Sequence, residues 1–386
     1  MAARSLLLSL LLLSFAAPPD QRKLRIGILR DKQVKGVVVM STRGDLLVVV
    51  DGEQKGTIPS TDGLKVEAAQ GGISIKSMTM ALTAKRKVEV VPRSSDAGIR
   101  LRATGHKMPE RKYPGTLEIT RQGHNLSMVT IVPLEEYTAG VVQSEAGKDH
   151  HIEYYKLQAV TCRTYALTNV RKHGPEGFNL CDEVHCQVFH GTNRHDSIDI
   201  AVSATRDLVL VDADIKLIHA TFHSNCGGET INSEDVWSKS ESYLQATTDT
   251  FCLAAPHSSW SRTLTRNEWL GYLRKRHSLH PADTTQLEAV LNYEPTCRDL
   301  YLGNTSPLVP LKRVREDLKL NSTYFSVRTQ GDEVVLQGRG FGHGVGLCQE
   351  GSMHMARNGR TYTEILHHYY TGVHVVDLGM LDFFRE

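Results

Sequence analysis

The first third of the sequence alternates short apolar runs with turn-forming residues. Between positions 24 and 132, runs rich in Val, Ile and Leu are separated by Gly, Asp and Pro. Runs of this length with turn signals between them predict antiparallel strands. We therefore predict a β-rich N-terminal unit over residues 24–132. Its clearest strand-forming runs are Leu24–Leu29, Gly36–Met40, Leu46–Gly52 and Leu117–Thr120.

Helical patterns begin after Pro133. The stretch Leu134–Gly147 predicts a short helix, and His151–Lys172 then continues for more than twenty residues without Pro or Gly. Apolar side chains at positions 152, 155, 159, 162 and 166 have the three-or-four spacing of one helical face. Gly174 and Pro175 end this long helix in the expected way.

The remaining sequence mixes strands and helices. A strand pair is predicted around Leu208–Asp212 and Leu217–Phe222, and a polar, mostly helical insertion at about 262–315. Two strands follow at Tyr324–Arg328 and Glu333–Gln337, then a Gly-rich loop and a helix at Tyr362–Tyr370. The predicted fold class is α+β, with the β-rich unit followed by a mixed α/β region over residues 133–380.

The N-terminus predicts export. Arg4 precedes an apolar run from Leu6 to Phe15, and Ala16 and Ala17 close it. This is typical of a signal peptide over residues 1–17, since a membrane span needs about twenty apolar residues; an uncleaved anchor is the alternative. We expect an exported protein of the periplasm or cell envelope with no stable membrane anchor after cleavage. The balance of 45 basic and 43 acidic residues argues against a nucleic-acid partner.

Seven cysteines are too dispersed for a disulfide scaffold in a chain of 386 residues. Cys181 and Cys186 lie close to His173 and His185, and two thiolates with one or two imidazoles can satisfy the tetrahedral preference of zinc. A local disulfide between these two cysteines is the competing interpretation. A second disulfide is conceivable between the remaining pair, Cys226 and Cys252.

The Gly-rich loop carries five glycines between positions 338 and 346. Glycines permit backbone conformations that a Cβ would forbid. The loop lacks the Gly-Lys-Ser/Thr ending of a phosphate-binding P-loop. A purely structural turn is the simpler interpretation, but His343 and Gln349 favour a functional site.

Glu145 leads into the long helix, which carries Lys156 and Arg163 seven residues apart. That spacing places both cations on one helical face, about 10 Å apart along the axis. One interpretation is a carboxylate facing two cations across a groove. The other is an ordinary salt-bridged surface.

In their order along the chain, the motifs resemble the stage II sporulation protein D family, SpoIID/LytB, over residues 134–373. The matching segments are Leu134–Val142, Ser144-Glu145, Lys156–Val160, Arg163–Ala166, His185–Val188, Phe222–Ser224, Gly227-Gly228 and the His343 loop. The resemblance implies a catalytic region with a central cleft. It also implies a lytic transglycosylase, which cuts the β-1,4 bond between N-acetylmuramic acid and N-acetylglucosamine without water.

The resemblance also assigns residues. Glu145 falls on the catalytic glutamate, with Lys156 and Arg163 as supporting residues. His173, Cys181 and Cys186 fall on a metal set in which zinc is structural. Six residues are implied to contact substrate: Gln158, Tyr165, His223, Ser224, His343 and Gln349. The sequence Glu145-Ala146-Gly147 departs from the Glu-Met-Pro of sporulation proteins, which questions a sporulation role more than the chemistry.

One carboxyl group can serve this reaction as acid and then as base. An acid near neutral pH needs a pKa raised by burial, whereas adjacent cations would lower it. We therefore expect Lys156 and Arg163 to point at substrate or at acids such as Glu136. The expected partners are peptidoglycan glycan strands and other cell-wall hydrolases. The alternatives are a non-catalytic wall-binding enhancer of an autolysin or amidase, and a zinc-dependent hydrolase using His173, Cys181 and Cys186.

Overall fold

The computed structural model describes residues 22–383 except 95, 238, 281, 304, 305 and 307. The signal peptide predicted at residues 1–17 lies outside these residues. The fold is α+β, as predicted, with strands first and a mixture of helices and short strands after them. Within the described part of the chain, every helix is too short or too polar to span a bilayer.

The N-terminal unit is built from strands whose side chains alternate between core and solvent. In the last of them, every second residue from Leu126 to Val132 is buried, which is the two-residue period of a strand. The strands are β1 (Lys23–Ile28), β2 (Gly36–Ser41), β3 (Leu46–Val50), β4 (Glu53–Ile58), β5 (Leu64–Ala69), β6 (Gly72–Lys76), β7 (Ala81–Ala84), β8 (Lys87–Pro92), β9 (Ile99–Ala103), β10 (Arg111–Tyr113), β11 (Thr116–Gln122) and β12 (Asn125–Pro133).

Helices and short strands follow from Leu134 onward. They are α1 (Leu134–Ala146), α2 (Ile152–Thr168), β13 (Leu180–Cys181), α3 (Asp196–Ala204), β14 (Leu208–Val211), β15 (Phe222–His223), α4 (Ser233–Trp237), β16 (Ser259–Thr265), α5 (Arg266–His277), α6 (Thr284–Leu291), α7 (Leu311–Leu318), β17 (Phe325–Gln330), β18 (Glu333–Arg339), β19 (Leu347–Cys348), α8 (Gln349–Arg357), α9 (Tyr362–Tyr369), β20 (His374–Asp377) and α10 (Leu378–Phe383). Short 3-10 helices lie at Arg30–Lys32, Gly174–Glu176 and Thr250–Cys252.

Two sheets form the N-terminal unit, and one of them recruits a strand from the later region. The first sheet has the order β13-β1-β12-β11-β8-β3-β4, and the second has the order β10-β9-β2-β5-β6-β7. Their pairings are antiparallel, except that β13 pairs with β1 in parallel. One continuous apolar core joins these strands to α1, α2, α3, α8 and α9.

A second core lies in the region predicted as an insertion. Its buried side chains run from Trp269 to Leu336 and come from α5, α6, α7, β17 and β18. It therefore extends past the predicted boundary at residue 315 into the strands that follow. The three-stranded sheet β16-β18-β17 supports it.

One predicted strand pairing forms only in part. The segment Leu217–Phe222 contacts β14 through an antiparallel bridge between Val211 and Leu217 and a hydrogen bond from the Ile218 N–H to the Leu210 carbonyl. The full ladder of β14 is formed with β20 near the end of the chain. Both segments have the apolar composition of strands, but composition does not identify a partner more than 150 residues away. Helix α8 directly follows the Gly-rich loop and was not predicted.

Helices α1 and α2 form a hairpin that positions the site. Gly147 has φ 76° and ends α1, and the His151 Nδ1 accepts a hydrogen bond from the N–H of Glu153 at the start of α2. Tyr155 then donates its hydroxyl to the Gly147 carbonyl at 3.3 Å. Helix α2 therefore runs back along α1, and its beginning lies beside the end of α1.

Candidate active site

Glu145 lies in the last turn of α1, where three consecutive side chains bind one loop. Gln143 Oε1 accepts the N–H of Arg194 at 2.6 Å, Ser144 Oγ accepts that of His190 at 3.1 Å, and Glu145 Oε1 accepts that of Val188 at 2.6 Å. Because each side chain receives a main-chain donor, the loop fixes the end of the helix.

The close approach of this loop requires Gly140. A Cβ at Gly140 would collide with the carbonyl oxygen of Gly191 and the ring of Phe189. Any larger residue would push the loop away from α1. The Val188 N–H would then no longer reach Glu145.

Glu145 has the electrostatic environment of an acid. Burial raises the pKa of its carboxyl, and the hydrogen bond from Val188 only partly opposes this. No cation is paired with it among the described residues. Glu145 therefore retains its proton at a higher pH than an ordinary glutamate does.

Glu145 opens onto a cleft of about 1030 Å³, a size typical of ligand sites. The cleft is lined by four of the predicted substrate-binding residues, Tyr165, Ser224, His343 and Gln349. The structure thus brings these four side chains together with the carboxyl group. The lining also includes Asn169, Lys172, Val184, His185, Cys186, His219, Thr221, Phe222, Trp237, Lys239, Glu241, Leu244, Arg315, Phe341 and Gly342.

His343 is held as a neutral imidazole in a single tautomer. Its Nδ1 accepts the N–H of Val345 at 3.1 Å, so its Nε2 carries the proton and donates to the Phe222 carbonyl at 3.0 Å. Burial lowers the pKa of His343 to about 4. Its ring also packs against Trp237 with centroids 5.1 Å apart. This side chain shapes the cleft wall and is uncharged at neutral pH.

The glycines of the His343 loop allow close packing on β15. A Cβ at Gly342 would contact the His223 Cβ at 2.7 Å, and one at Gly346 would meet the Thr221 carbonyl at 2.5 Å. Both glycines have positive φ, 120° and 70°. The loop is therefore an ordered part of the cleft wall.

Two predicted substrate-binding residues lie behind the cleft lining. His223 is buried, and its Nδ1 lies 3.2 Å from the Val345 carbonyl. Gln158 is fully buried in α2, and its Oε1 lies 3.8 Å from the Cys162 Sγ. Neither lines the cleft. His223 supports the wall from behind through its edge contact with the His343 ring at 5.4 Å.

Lys156 and Arg163, the two cations considered as facing Glu145, are not among the described residues that line the cleft. Arg163 forms a two-pronged ion pair with Glu135 at 2.9 and 2.6 Å, and Lys156 pairs with Glu153 at 2.7 Å. Both cations thus point at other acids, as expected, although the acid that Arg163 contacts is Glu135 rather than its neighbour Glu136. The reason is the direction of the hairpin: Arg163 lies far along α2 and so reaches the beginning of α1.

Sequence reasoning missed several cleft residues. Asn169 and Lys172 follow Tyr165 at four and seven residues, so helical spacing could have identified them. Glu241 is a second carboxylate of the lining. Its pKa is raised by burial but lowered overall by hydrogen bonds from Lys239 and Tyr243. Trp237 carries no local sequence signal, because only the tertiary fold brings α4 to the His343 loop.

The predicted metal residues converge beside the cleft. Donor atoms of His173, Cys181, His185 and Cys186 all lie within 4.8 Å of one another. The Cys186 Sγ is 3.4 Å from the His173 Nε2, and the Cys181 Sγ is 3.8 Å from the His185 Nδ1. Glu176 binds the other nitrogen of His173, as carboxylates commonly do beside metal-bound histidines. Two sulfurs and two imidazoles at these separations fit a cation with tetrahedral coordination.

Known proteins are similar to this chain in sequence. The family model for SpoIID, stage II sporulation protein, matches residues 122–211, which contain Glu145 and the His173–Cys186 group. The chain is 28% identical to stage II sporulation protein D of Bacillus subtilis over 260 residues, covering 63% of this chain and 74% of that protein. Residues 122–211 thus match the SpoIID family, and the chain is similar to a named member of that family.

Two other relatives extend the comparison. An uncharacterized protein of Brachyspira hyodysenteriae is 29% identical over 281 residues, covering 69% of this chain and 73% of that protein. The amidase enhancer of Bacillus subtilis is 25% identical over 286 residues, which span 60% of this chain but only 39% of that longer protein.

Proposed function

We propose that this protein acts on the bacterial cell wall as a peptidoglycan lytic transglycosylase, with Glu145 as acid and base. The observation that carries the proposal is a half-buried carboxyl with a raised pKa at the wall of a large cleft. Similarity to stage II sporulation protein D and to an amidase enhancer supports the cell-wall role.

Glu145 alone supplies the proton transfers of the proposed reaction. The protonated carboxyl donates to the glycosidic oxygen as the bond from C1 of the muramyl sugar to that oxygen breaks. The C6 hydroxyl of the same sugar bonds to C1 and gives its proton to the Glu145 carboxylate. The proton is thereby restored, water is not consumed, and the product carries a 1,6-anhydro ring.

A substrate nucleophile removes the need for the second carboxylate of ordinary glycosidases. Glu241 nevertheless lies in the cleft lining with a lowered pKa. As a carboxylate it is suited to stabilising positive charge on the sugar ring in the transition state. The two environments favour different roles. The raised pKa of Glu145 favours its protonated form, and the lowered pKa of Glu241 favours its carboxylate form.

Zinc is proposed for the group of His173, Cys181, His185 and Cys186. Four protein ligands close its coordination shell, which is typical of structural zinc. When bound, zinc supplies a cross-link between the segments around residues 173 and 186. Val188, two residues after Cys186, donates its N–H to Glu145. The same set argues against the hydrolase alternative, since a catalytic zinc keeps one position open.

The location that we propose is outside the cytoplasm, in the periplasm or cell envelope. The signal sequence predicted at residues 1–17 supports this, as does a cell-wall substrate. Other wall hydrolases are proposed partners because one relative is an amidase enhancer.

Product analysis tests the proposal. Purified glycan strands are digested with the wild-type protein, with Glu145→Gln, and with Glu136→Gln as the matched control from an exposed position of α1. We expect anhydromuramyl ends by mass spectrometry from wild type and control, and none from Glu145→Gln. Reducing muramyl ends would indicate hydrolysis and contradict the transglycosylase.

The second candidate is a non-catalytic enhancer, favoured by the amidase enhancer similarity. It predicts no cleavage products from wild type, together with faster digestion of intact wall by an added amidase. In that case Glu145→Gln should enhance the amidase as well as wild type does.

A further inference from the structure

A second group of possible metal ligands lies apart from the His173–Cys186 group. Cys226, Asp249, Cys252 and Cys348 are all buried, and their donor atoms lie within 4.8 Å of one another. The Cys226 Sγ is 3.4 Å from the Cys252 Sγ and 3.3 Å from the Asp249 Oδ2. Three sulfurs and one carboxylate oxygen thus surround one point in the interior.

The surrounding groups orient these donors. Tyr369 donates its hydroxyl to the Asp249 Oδ2 at 2.8 Å, and the Phe251 N–H binds the Oδ1 at 2.9 Å. The Cys348 Sγ accepts N–H groups from Cys226 and Gly351 at 3.3 and 3.4 Å. Hydrogen bonds of this kind hold first-shell ligands in place around metals.

The close packing depends on Gly351. A Cβ at this position would collide with both the Asp249 carboxylate and the Tyr369 hydroxyl. Glycine in α8 therefore keeps the carboxylate beside the three sulfurs.

Electrostatics favours a cation at the centre. Three thiolates and a carboxylate buried together repel one another, so without a cation most would have to remain protonated. The nearby Arg298 interacts with Cys226 and Cys348 and donates to the Cys226 and Glu229 carbonyls. One arginine does not offset four anionic donors, whereas a divalent ion together with it leaves a small residual charge.

We propose that Cys226, Asp249, Cys252 and Cys348 bind a second structural zinc ion. Soft thiolates select thiophilic metals, and four protein ligands around one point match the closed tetrahedral site of zinc. A disulfide between Cys226 and Cys252 would use only two of the four groups. It would leave the Cys348 thiol and the Asp249 carboxylate buried beside it, held by hydrogen bonds alone.

This site connects to the cleft through its neighbours in sequence. Cys226 follows Ser224 by two residues, and Cys348 directly precedes Gln349; Ser224 and Gln349 both line the cleft. β15, which precedes Cys226, pairs in parallel with β19, which contains Cys348. Zinc here would fasten the wall that holds Ser224, His343 and Gln349, while the His173–Cys186 group holds the loop at Glu145.

Metal content of the purified full-length mature protein tests the proposal. Measured by elemental mass spectrometry, wild type should hold two zinc ions per chain, and Cys186→Ser and Cys348→Ser one each. The control Cys297→Ser, at an exposed cysteine, should retain two. Wild type with no ion, a single ion that Cys348→Ser retains, or Cys186→Ser with none while folded would overturn the second site.

Two further measurements test the thiolate ligands and the disulfide alternative. Cobalt titrated into Cys186→Ser should give a thiolate-to-cobalt charge-transfer band that saturates at one equivalent; no such band would refute the site. Alkylation after denaturation with a chelator should modify all seven cysteines. Five modified cysteines and a Cys226–Cys252 cross-linked peptide would show a disulfide in place of the metal.

Discussion

The two ends of α1 carry glutamates in opposite environments. At its start, Glu135 forms a two-pronged ion pair with the fully buried Arg163. At its end, Glu145 opens onto the cleft, and burial raises its pKa. Helix α1 thus carries one glutamate in an ion pair and another whose carboxyl has a raised pKa. The role of an acidic side chain is therefore determined by the groups around it, and not by its residue type or by the helix that carries it.

The largest expected effect separates the two acids by activity. Glu145→Gln should lower the rate of anhydromuramyl release by about 10²- to 10⁴-fold, because that is the usual contribution of a general acid–base group. Glu135→Gln should retain most of the activity of its folded fraction. Rates on purified glycan strands, normalised to folded protein by circular dichroism, check this. Equal losses in the two variants would remove the distinction between the ends of α1.

The second effect is on stability. Arg163→Ala should lower the free energy of unfolding by about 3–5 kcal/mol, because it leaves Glu135 without its partner in a buried position. The control is Lys156→Ala, which breaks a partly exposed ion pair with Glu153 and should cost less than about 1 kcal/mol. Urea unfolding of both variants measures the difference. A loss below 1 kcal/mol in Arg163→Ala would mean that the pair does not fasten α1 to α2.

A smaller effect should come from the metal group beside Glu145. Glu176 contacts the nitrogen of His173 that faces away from the sulfurs, so Glu176→Gln should weaken zinc binding about 10- to 100-fold. Competition with a chelator measures this affinity. Glu183→Gln is the control, because Glu183 lies in the same loop but outside the metal group. Unchanged affinity in Glu176→Gln would contradict a supporting role for this carboxylate.

The smallest effect is a pH dependence of stability at Glu145. Its pKa is raised in the folded state, so its stabilising contribution is complete below the pKa of free glutamate, about 4.3. That contribution is lost as pH rises through the folded-state pKa. Glu145→Gln should therefore be more stable than wild type at neutral pH and lose this advantage near pH 4. Thermal unfolding at both pH values checks the sign, and a neutral-pH loss of stability in the variant would contradict a raised pKa.

The sequence predicts the local elements well because their signals are local. The long helix expected at His151–Lys172 lies at Ile152–Thr168, and the strand expected within Leu46–Gly52 lies at Leu46–Val50. Apolar spacing and turn residues are sufficient for such elements. The partner of β14 is instead β20, and the composition of β14 gives no information about that pairing.

The sequence likewise predicts some residues of the candidate site and misses others. Glu145, Tyr165, Ser224, His343 and Gln349 meet in the cleft, and His185 completes the predicted metal group. The partner of Arg163 could not be read from sequence, because it depends on the direction in which α2 returns. The group around Cys348 was missed for a similar reason: its ligands are up to 122 residues apart.

The parallel pairing of β1 with β13 has a consequence for biosynthesis. The Arg25 N–H binds the Asn179 side chain across 154 residues, and β13 contributes Cys181 to the metal group. A chain that emerges N-terminus first therefore exposes the edge of β1 until more than a third of the polypeptide has followed. Unpaired edges of this kind invite association with other chains, so a chaperone that shields β1 during transit should raise the yield of folded protein.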